Sequence, residues 1–140
     1  MTILPWLAGG AVAGYAVGRG RRADVSYPVA QGEVSGLVVR SEIHNIDSIS
    51  ATLNEWETLP RVREVPMAHF PGVDGRHYAA WGNRRIKDLT EQIKESGEIS
   101  PLIVVVDAEG PYILEGATRI EALYRLGVPN FPALVVRDLT

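Results

Sequence analysis

The second half of the chain alternates between apolar runs and helical repeats. The continuous apolar stretch 102–106 (LIVVV) predicts a strand covered on both faces. Apolar residues at three- and four-residue spacing predict helices over 84–96 and 117–126, the first capped by Asn83 and ended by Gly97. Further strands are predicted at 62–67, 111–114 and 131–136. The pattern therefore indicates a small α/β domain over 61–140, with a mixed sheet and two main helices.

Two segments of different character precede this domain. Residues 23–40 mix Pro, Gly, Ser and polar residues without periodicity, which predicts a linker. Over 41–60, three isoleucines, Leu53 and Trp56 recur at three- and four-residue steps before Pro60. This spacing predicts an amphipathic helix that packs on the domain or on a partner.

The first 22 residues form the most unusual segment of the sequence. Residues 2–18 carry no charge, and a basic collar of Arg19, Arg21 and Arg22 follows them. Gly10, Gly14 and Gly18 recur every four residues, so a helix would place them on one face. Small residues at this spacing allow close helix–helix approach in apolar surroundings. The segment predicts a glycine-zipper helix.

This segment has three candidate environments. A cleaved signal peptide would have an Ala-Val-Ala site at 11–13, but the segment lacks a charged start and has a short apolar core, so cleavage is not expected. A transmembrane anchor needs roughly 20 apolar residues, more than are present here. Packing against copies of itself or another protein is the third environment. Membrane insertion and packed assembly both stay open, and they predict a membrane-associated protein or a homo-oligomer or larger assembly.

Charge and composition narrow the range of functions. The chain has 14 basic and 17 acidic residues, for a net charge of -3, so nucleic acid is not expected as a general ligand. The absence of cysteine excludes disulfides, a thiol nucleophile and cysteine-based zinc sites. His69, His77 and Asp74 lie in one loop, but their spacing is not that of a known metal site. We therefore expect them to be surface loop residues and not metal ligands.

The segment 112–119 (YILEGATR) carries the candidate chemistry. A strand reaches Gly116 and a helix begins at once, which directs backbone N–H groups and the positive end of the helix dipole at one point. This arrangement favours phosphate, to which Thr118 would add a hydroxyl and Arg119 a guanidinium. The alternative is that Arg119 only pairs with Glu115 or Glu121.

The order of motifs around this turn resembles the ParB/sulfiredoxin superfamily. The shared features are a helix ending in ESG before a Pro-led strand, the Gly-x-x-Arg turn, a helix ending in LG, and a last strand in VPNFPALVV. The resemblance implies a turn that holds nucleotide phosphates, CTP in ParB or ATP in sulfiredoxin, with magnesium. It assigns phosphate contacts to Gly116, Thr118 and Arg119, and an upstream arginine to Arg84 or Arg85. Glu115 is a further carboxylate beside the turn.

The departures from the family pattern concern reactivity. Ala117 stands where sulfiredoxin has its cysteine nucleophile and ParB a glutamate, and Thr118 replaces a histidine or arginine. We therefore predict no catalytic residue.

Three functions follow, in order of preference at this stage. The first is a non-enzymatic assembly component, by analogy a phage virion or genome-delivery protein, anchored by its N-terminal helix in a membrane or helical bundle. The second is a membrane-tethered CTP- or ATP-binding domain with weak or no hydrolysis. The third, a ParB-like nuclease or DNA-binding module, is disfavoured by the acidic balance and the lack of a carboxylate cluster for two metal ions.

Overall fold

The computed structural model describes residues 27–75 and 80–140, which form a mixed α/β fold. Its strands and helices, in chain order, are β1 Glu33–Val34, β2 Leu37–Val39, α1 Ser48–Thr52, β3 Trp56–Thr58, β4 Arg63–Pro66, α2 Ala80–Ser96, β5 Glu98–Ile99, β6 Leu102–Asp107, β7 Gly110–Glu115, α3 Ala117–Arg125 and β8 Asn130–Asp138. Two 3₁₀ segments, Met67–His69 and Pro71–Gly75, lie between β4 and α2.

A five-stranded sheet organises the fold, with β8 and β6 at its centre. Its order is β3-β8-β6-β7, and β4 also pairs with β8. Strand β6 runs parallel to β8 and antiparallel to β7. Strand β4 pairs with the first part of β8, and β3 with the last part. A second sheet of order β1-β2-β5 completes the structure. The mixed sheet predicted from the sequence is confirmed.

Alternate side chains of β6 enter two separate cores, because successive residues of a strand point to opposite faces. Val104 joins the larger core with Ile86 of α2 and Ile120 of α3. Val105 joins the smaller core, which also contains Ile49 of α1. The first five side chains of β6 are all buried. The prediction of a strand covered on both faces is confirmed.

The amphipathic helix predicted over 41–60 is replaced by a short helix and a strand. Only Ser48–Thr52 is helical, and Asn45 before it has a φ of 57°, which a continuous right-handed helix excludes. Trp56–Thr58 forms β3, because its backbone pairs with β8. Part of the predicted apolar face nevertheless packs on the domain, since Ile49 is buried.

The described part of the predicted linker, 27–40, contains two strands. Val34 of β1 pairs with Leu37 of β2 across the two-residue turn Ser35–Gly36, and both turn residues have positive φ. Such turns fit the twist of a hairpin. Strand β2 then pairs in parallel with β5. The packed structure therefore begins well before residue 61, whereas the predicted N-terminal helix, 1–22, lies outside the described residues.

The two main helices are present, with one boundary changed. Helix α2 begins at Ala80, so Asn83 lies inside it and does not cap its start. Gly97 follows its end with a φ of 69°, as expected of a helix-ending glycine. Helix α3 spans nearly the predicted range. Among the helices of the described residues, none combines the length and apolar character needed to cross a bilayer.

His69 is partly buried and not simply a surface loop residue. Its Nδ1 lies 2.9 Å from the hydroxyl of Tyr27, whose side chain is buried. Burial lowers the pKa of His69 from 6.5 to about 3. His77 lies outside the described residues.

The folded protein should lose stability in acid because of His69. Its folded pKa is lower than its unfolded pKa, so its contribution is complete above pH 6.5 and is lost as pH falls toward about 3. Urea unfolding at a series of pH values should show the free energy of unfolding falling through this window, with about one proton bound on unfolding. His69→Gln should remove that slope, and His44→Gln, at an exposed position, should leave it. Equal slopes in the two variants would contradict the assignment.

Candidate functional site

Gly116 alone connects β7 to α3, and its conformation requires glycine. Its φ is 115°, a region that side chains of L-residues rarely adopt. A Cβ at this position would lie 2.5 Å from Cγ of Leu102, at the start of β6. The carbonyl of Gly116 accepts the first helical hydrogen bond from Ile120, at 2.8 Å. The N–H groups that precede Ile120 therefore have no acceptor within the helix itself, and they lie where the helix dipole is positive.

Arg119 directs its guanidinium at the protein backbone. Its Nη1 donates to the carbonyls of Ser100, at 2.9 Å, and Pro101, at 2.8 Å. The side chain is only 13% exposed. Burial lowers the pKa of Arg119, and Glu115 acts in the opposite direction. Arg119 thus fixes α3 to the junction between β5 and β6, a role that the sequence did not reveal.

Glu115 lies between Arg119 and the segment that joins β2 to α1. Its Oε1 accepts a hydrogen bond from Nδ2 of Asn45 at 3.0 Å and lies 4.0 Å from Nη2 of Arg119. The expected pairing of Arg119 with Glu115 is therefore present at long range, beside the backbone contacts. Sequence reasoning missed Asn45, for which the only signal is the tolerance of asparagine for left-handed backbone.

The region that contains this turn matches a known protein family. The model of the ParB N-terminal domain family matches residues 51–140. The chain belongs to this family. Strands β1 and β2 precede the matched residues, so the described ParB-like fold includes structure outside the family match.

The similarity of this ParB-family chain to known proteins is illustrated by a curated relative and by a solved structure. The chromosome-partitioning protein ParB of Myxococcus xanthus (strain DK1622) is 30% identical over 84 residues, which are 60% of this chain and 24% of the relative. The chain thus spans about a quarter of that protein's length. The crystal structure of sulfiredoxin from Arabidopsis thaliana aligns at 24% identity and a TM-score of 0.44, covering 54% of this chain and 84% of that one.

The first turn of α3 in this ParB-family domain presents few reactive groups. Ala117 is exposed and Thr118 is half-buried. Within the described ranges, no group of three or more His, Cys, Asp or Glu side chains is placed to hold a metal ion. A magnesium ion here would therefore take most of its ligands from a bound phosphate and water, as this ion usually does. The assignments of Gly116, Thr118 and Arg119 to phosphate contact stay predictions.

The upstream arginines lie within α2 and not before it. Arg84 and Arg85 are both exposed on that helix. A polar contact between the two main helices is made by Arg125, whose Nη2 donates to Oδ1 of Asn83 at 3.1 Å. Nε of Arg125 also lies 3.6 Å from Oε2 of Glu121. Glu121 is therefore a buried glutamate of α3 that was not among the site residues predicted from the sequence.

Proposed function

We propose that this ParB-family domain binds a nucleoside triphosphate, CTP or ATP, at the start of α3, with weak or no hydrolysis. The observation that carries the proposal is the turn at Gly116. Its left-handed backbone, with no room for a side chain against Leu102, starts the helix within one residue of the strand. First-turn N–H groups and the helix dipole then act on one small volume, which suits a phosphate group.

The residues of the same turn favour binding of a triphosphate without efficient hydrolysis. Ala117 has only a methyl group, which neither attacks phosphorus nor moves a proton. Arg119 is occupied by the carbonyls of Ser100 and Pro101. Phosphate contact at this turn would therefore rely on backbone N–H groups and the hydroxyl of Thr118. Binding by neutral donors predicts modest affinity, and hydrolysis should be slow because the turn offers neither a general base nor a cationic side chain for the phosphate.

The proposal is tested by titrating the full-length protein with CTP and with ATP in magnesium buffer, by calorimetry. The wild type should bind one of them. Thr118→Asp should weaken binding by about tenfold or more, since a carboxylate repels phosphate while suiting the helix start. Thr118→Asn, which is neutral and similar in size, should bind within about threefold of the wild type. Absence of binding by the wild type at millimolar nucleotide would refute the proposal.

We also propose that the apolar segment 1–22 tethers the domain in a membrane or in an assembly of several chains. Its support is the uncharged run with glycines at 10, 14 and 18, followed by the basic collar. In this role the ParB-like domain is a scaffold, which suits a virion or genome-delivery particle. Light scattering of the full-length protein should show oligomers in buffer or in detergent. A monomer in both would contradict the tether.

A further inference from the structure

Two aspartates lie side by side at one end of the five-stranded sheet, on the face that carries the smaller core. Val105 and Val136 belong to that core, and each strand returns to the same face two residues later. The side chains at those positions are Asp107 of β6 and Asp138 of β8. The parallel register of the two strands sets them at the same level. Like charges that face each other on neighbouring strands repel.

Neither carboxylate has a cationic partner in the part of the chain that the structure describes. Asp107 and Asp138 each accept one backbone N–H, at 2.8 and 3.0 Å, but no described Arg, Lys or His forms an ion pair with them. The segment 41–60, which contains α1, and the segment 102–118, which contains β6 and β7, have no lysine or arginine. The repulsion between the two aspartates is therefore uncompensated among the described residues.

Aromatic and apolar side chains border the two carboxylates. Trp56 of β3 pairs directly with Asp138, so both side chains project from the same face. Tyr112 of β7 packs against the smaller core; burial raises its pKa, and Asp107 and Asp138 raise it further. Trp56 and Leu139 are exposed, and Leu139 is hydrogen-bonded to the residue before Trp56. The two aspartates, Trp56 and Tyr112 are named the acidic–aromatic surface.

The chemistry of this surface suits the guanidinium group of arginine. A guanidinium binds carboxylates through paired hydrogen bonds, and it also stacks on aromatic rings. It is more weakly hydrated than the ammonium group of lysine, so it leaves water more readily. Several arginines in succession could bind both aspartates. The chain itself contains such a run in the basic collar Arg19, Arg21 and Arg22, which lies outside the described residues.

The collar of a neighbouring copy reaches this surface more readily than the collar of the same chain. Tyr27 packs in the larger core, on the other face of the sheet, and its carbonyl accepts from Arg63 at 2.9 Å. Arg63 pairs with Ala133, and β8 runs about 17 Å from there to Asp138. Arg22 lies five residues before Tyr27, so a fully extended chain carries it only about 17 Å from Tyr27. The same-chain route would also have to pass around an edge of the sheet.

We propose that the acidic–aromatic surface binds the basic collar of a neighbouring copy of this chain. The inference rests on the tethered assembly proposed above and is independent of nucleotide binding. Because the collar and the surface are different parts of the molecule, the contact is heterologous. Contacts of this kind join chains into rings or filaments.

Disulfide trapping tests the contact, since the chain has no cysteine of its own. Ala23→Cys, beside the collar, and Ala108→Cys, beside Asp107, are placed in separate full-length chains with tags of different mass, which are coexpressed and oxidised with copper phenanthroline. The disulfide between the two chains should form in about threefold or greater excess over the disulfide obtained with Gln92→Cys, exposed on α2, in place of Ala108→Cys. Raising NaCl to about 0.5 M should reduce this excess, because salt screens exposed charges.

Charge variants show whether the aspartates cause the excess. Asp107→Asn combined with Asp138→Asn should remove it. Asp88→Asn combined with Glu91→Gln, at exposed positions of α2, is the matched control and should leave it unchanged. An excess that survives both the aspartate variant and high salt contradicts binding by charge. Urea unfolding identifies a variant that does not fold, in which case the salt dependence decides.

The remaining outcomes separate this contact from the tether. Equal disulfide yields at the two surface positions, with oligomers still present by light scattering, would refute the collar contact and keep the tether. A monomer in buffer and in detergent, with no disulfide between chains, would refute both. One chain that carries both Ala23→Cys and Ala108→Cys could form the disulfide internally. If it does so while separate chains form none, the collar binds its own domain and the neighbouring-copy contact is wrong.

Discussion

Gly116→Ala is expected to destabilise the domain by about 3 kcal/mol, the sum of two independent costs. The first is backbone strain, because a φ of 115° is unfavourable for alanine. The second is overlap, since the new Cβ would lie 2.5 Å from Cγ and 3.2 Å from Cβ of Leu102. Leu102 is itself fully buried, so it has little freedom to move away. Urea unfolding with the wild type as reference measures the effect.

Gly127→Ala is the matched control for this substitution. Gly127 also has a positive φ, 76°, but nothing lies within 4 Å of the position that its Cβ would take. It therefore carries only the strain cost, about 1 kcal/mol. If both alanine variants lost the same stability, the close approach to Leu102 would have no energetic weight.

Arg119→Ala should cost about 3 kcal/mol, through the loss of two hydrogen bonds from a charged donor. The carbonyls of Ser100 and Pro101 would lose the guanidinium that now binds them at 2.9 and 2.8 Å. Arg119→Lys should recover only part of this stability, since one ammonium does not reproduce the planar donor geometry. Thermal or urea unfolding of both variants tests the prediction, and Arg84→Ala, at an exposed position of α2, should be nearly neutral.

This structural role changes how ligand binding should be probed. A loss of nucleotide binding in Arg119→Ala would follow from a displaced α3 as readily as from a lost phosphate contact. Thr118 is only half-buried and makes a cleaner probe, because its substitution leaves the backbone contacts of Arg119 in place. Stability measured beside affinity separates the two effects in every variant.

Helices and strands could be predicted from the sequence where the local apolar pattern matches the way the segment packs in the folded domain. Strand β6 is buried on both faces, and its uninterrupted apolar run follows directly from that burial. Helix α3 combines a helical apolar repeat with the glycine that its sharp start requires, so both its presence and its start were predictable. At the candidate site, the same motif located Gly116 and Thr118.

The structural features that could not be predicted from the sequence depend on contacts between residues far apart along the chain. Strands β1 and β2 have two and three residues, too few for an alternating pattern to be recognised. The isoleucine spacing around α1 is helical, but pairing with β8 draws Trp56–Thr58 into a strand. The backbone contacts of Arg119 join residues 18 and 19 positions apart, and the bond from Asn45 to Glu115 joins residues 70 positions apart. No local pattern encodes such contacts.

The first hairpin of the domain is attached close to its last strand. The hydroxyl of Ser35, in the turn between β1 and β2, donates to the carbonyl of Asn130 at 2.8 Å and accepts from its N–H at 3.2 Å. These residues are 95 positions apart, so the contact closes a very long loop. During synthesis, β1 and β2 can pair with each other early, but their contacts with β5 and with the start of β8 form only after those strands have been made. Native packing of the hairpin therefore depends on segments far along the chain, and the domain should complete its folding only after β8 has left the ribosome.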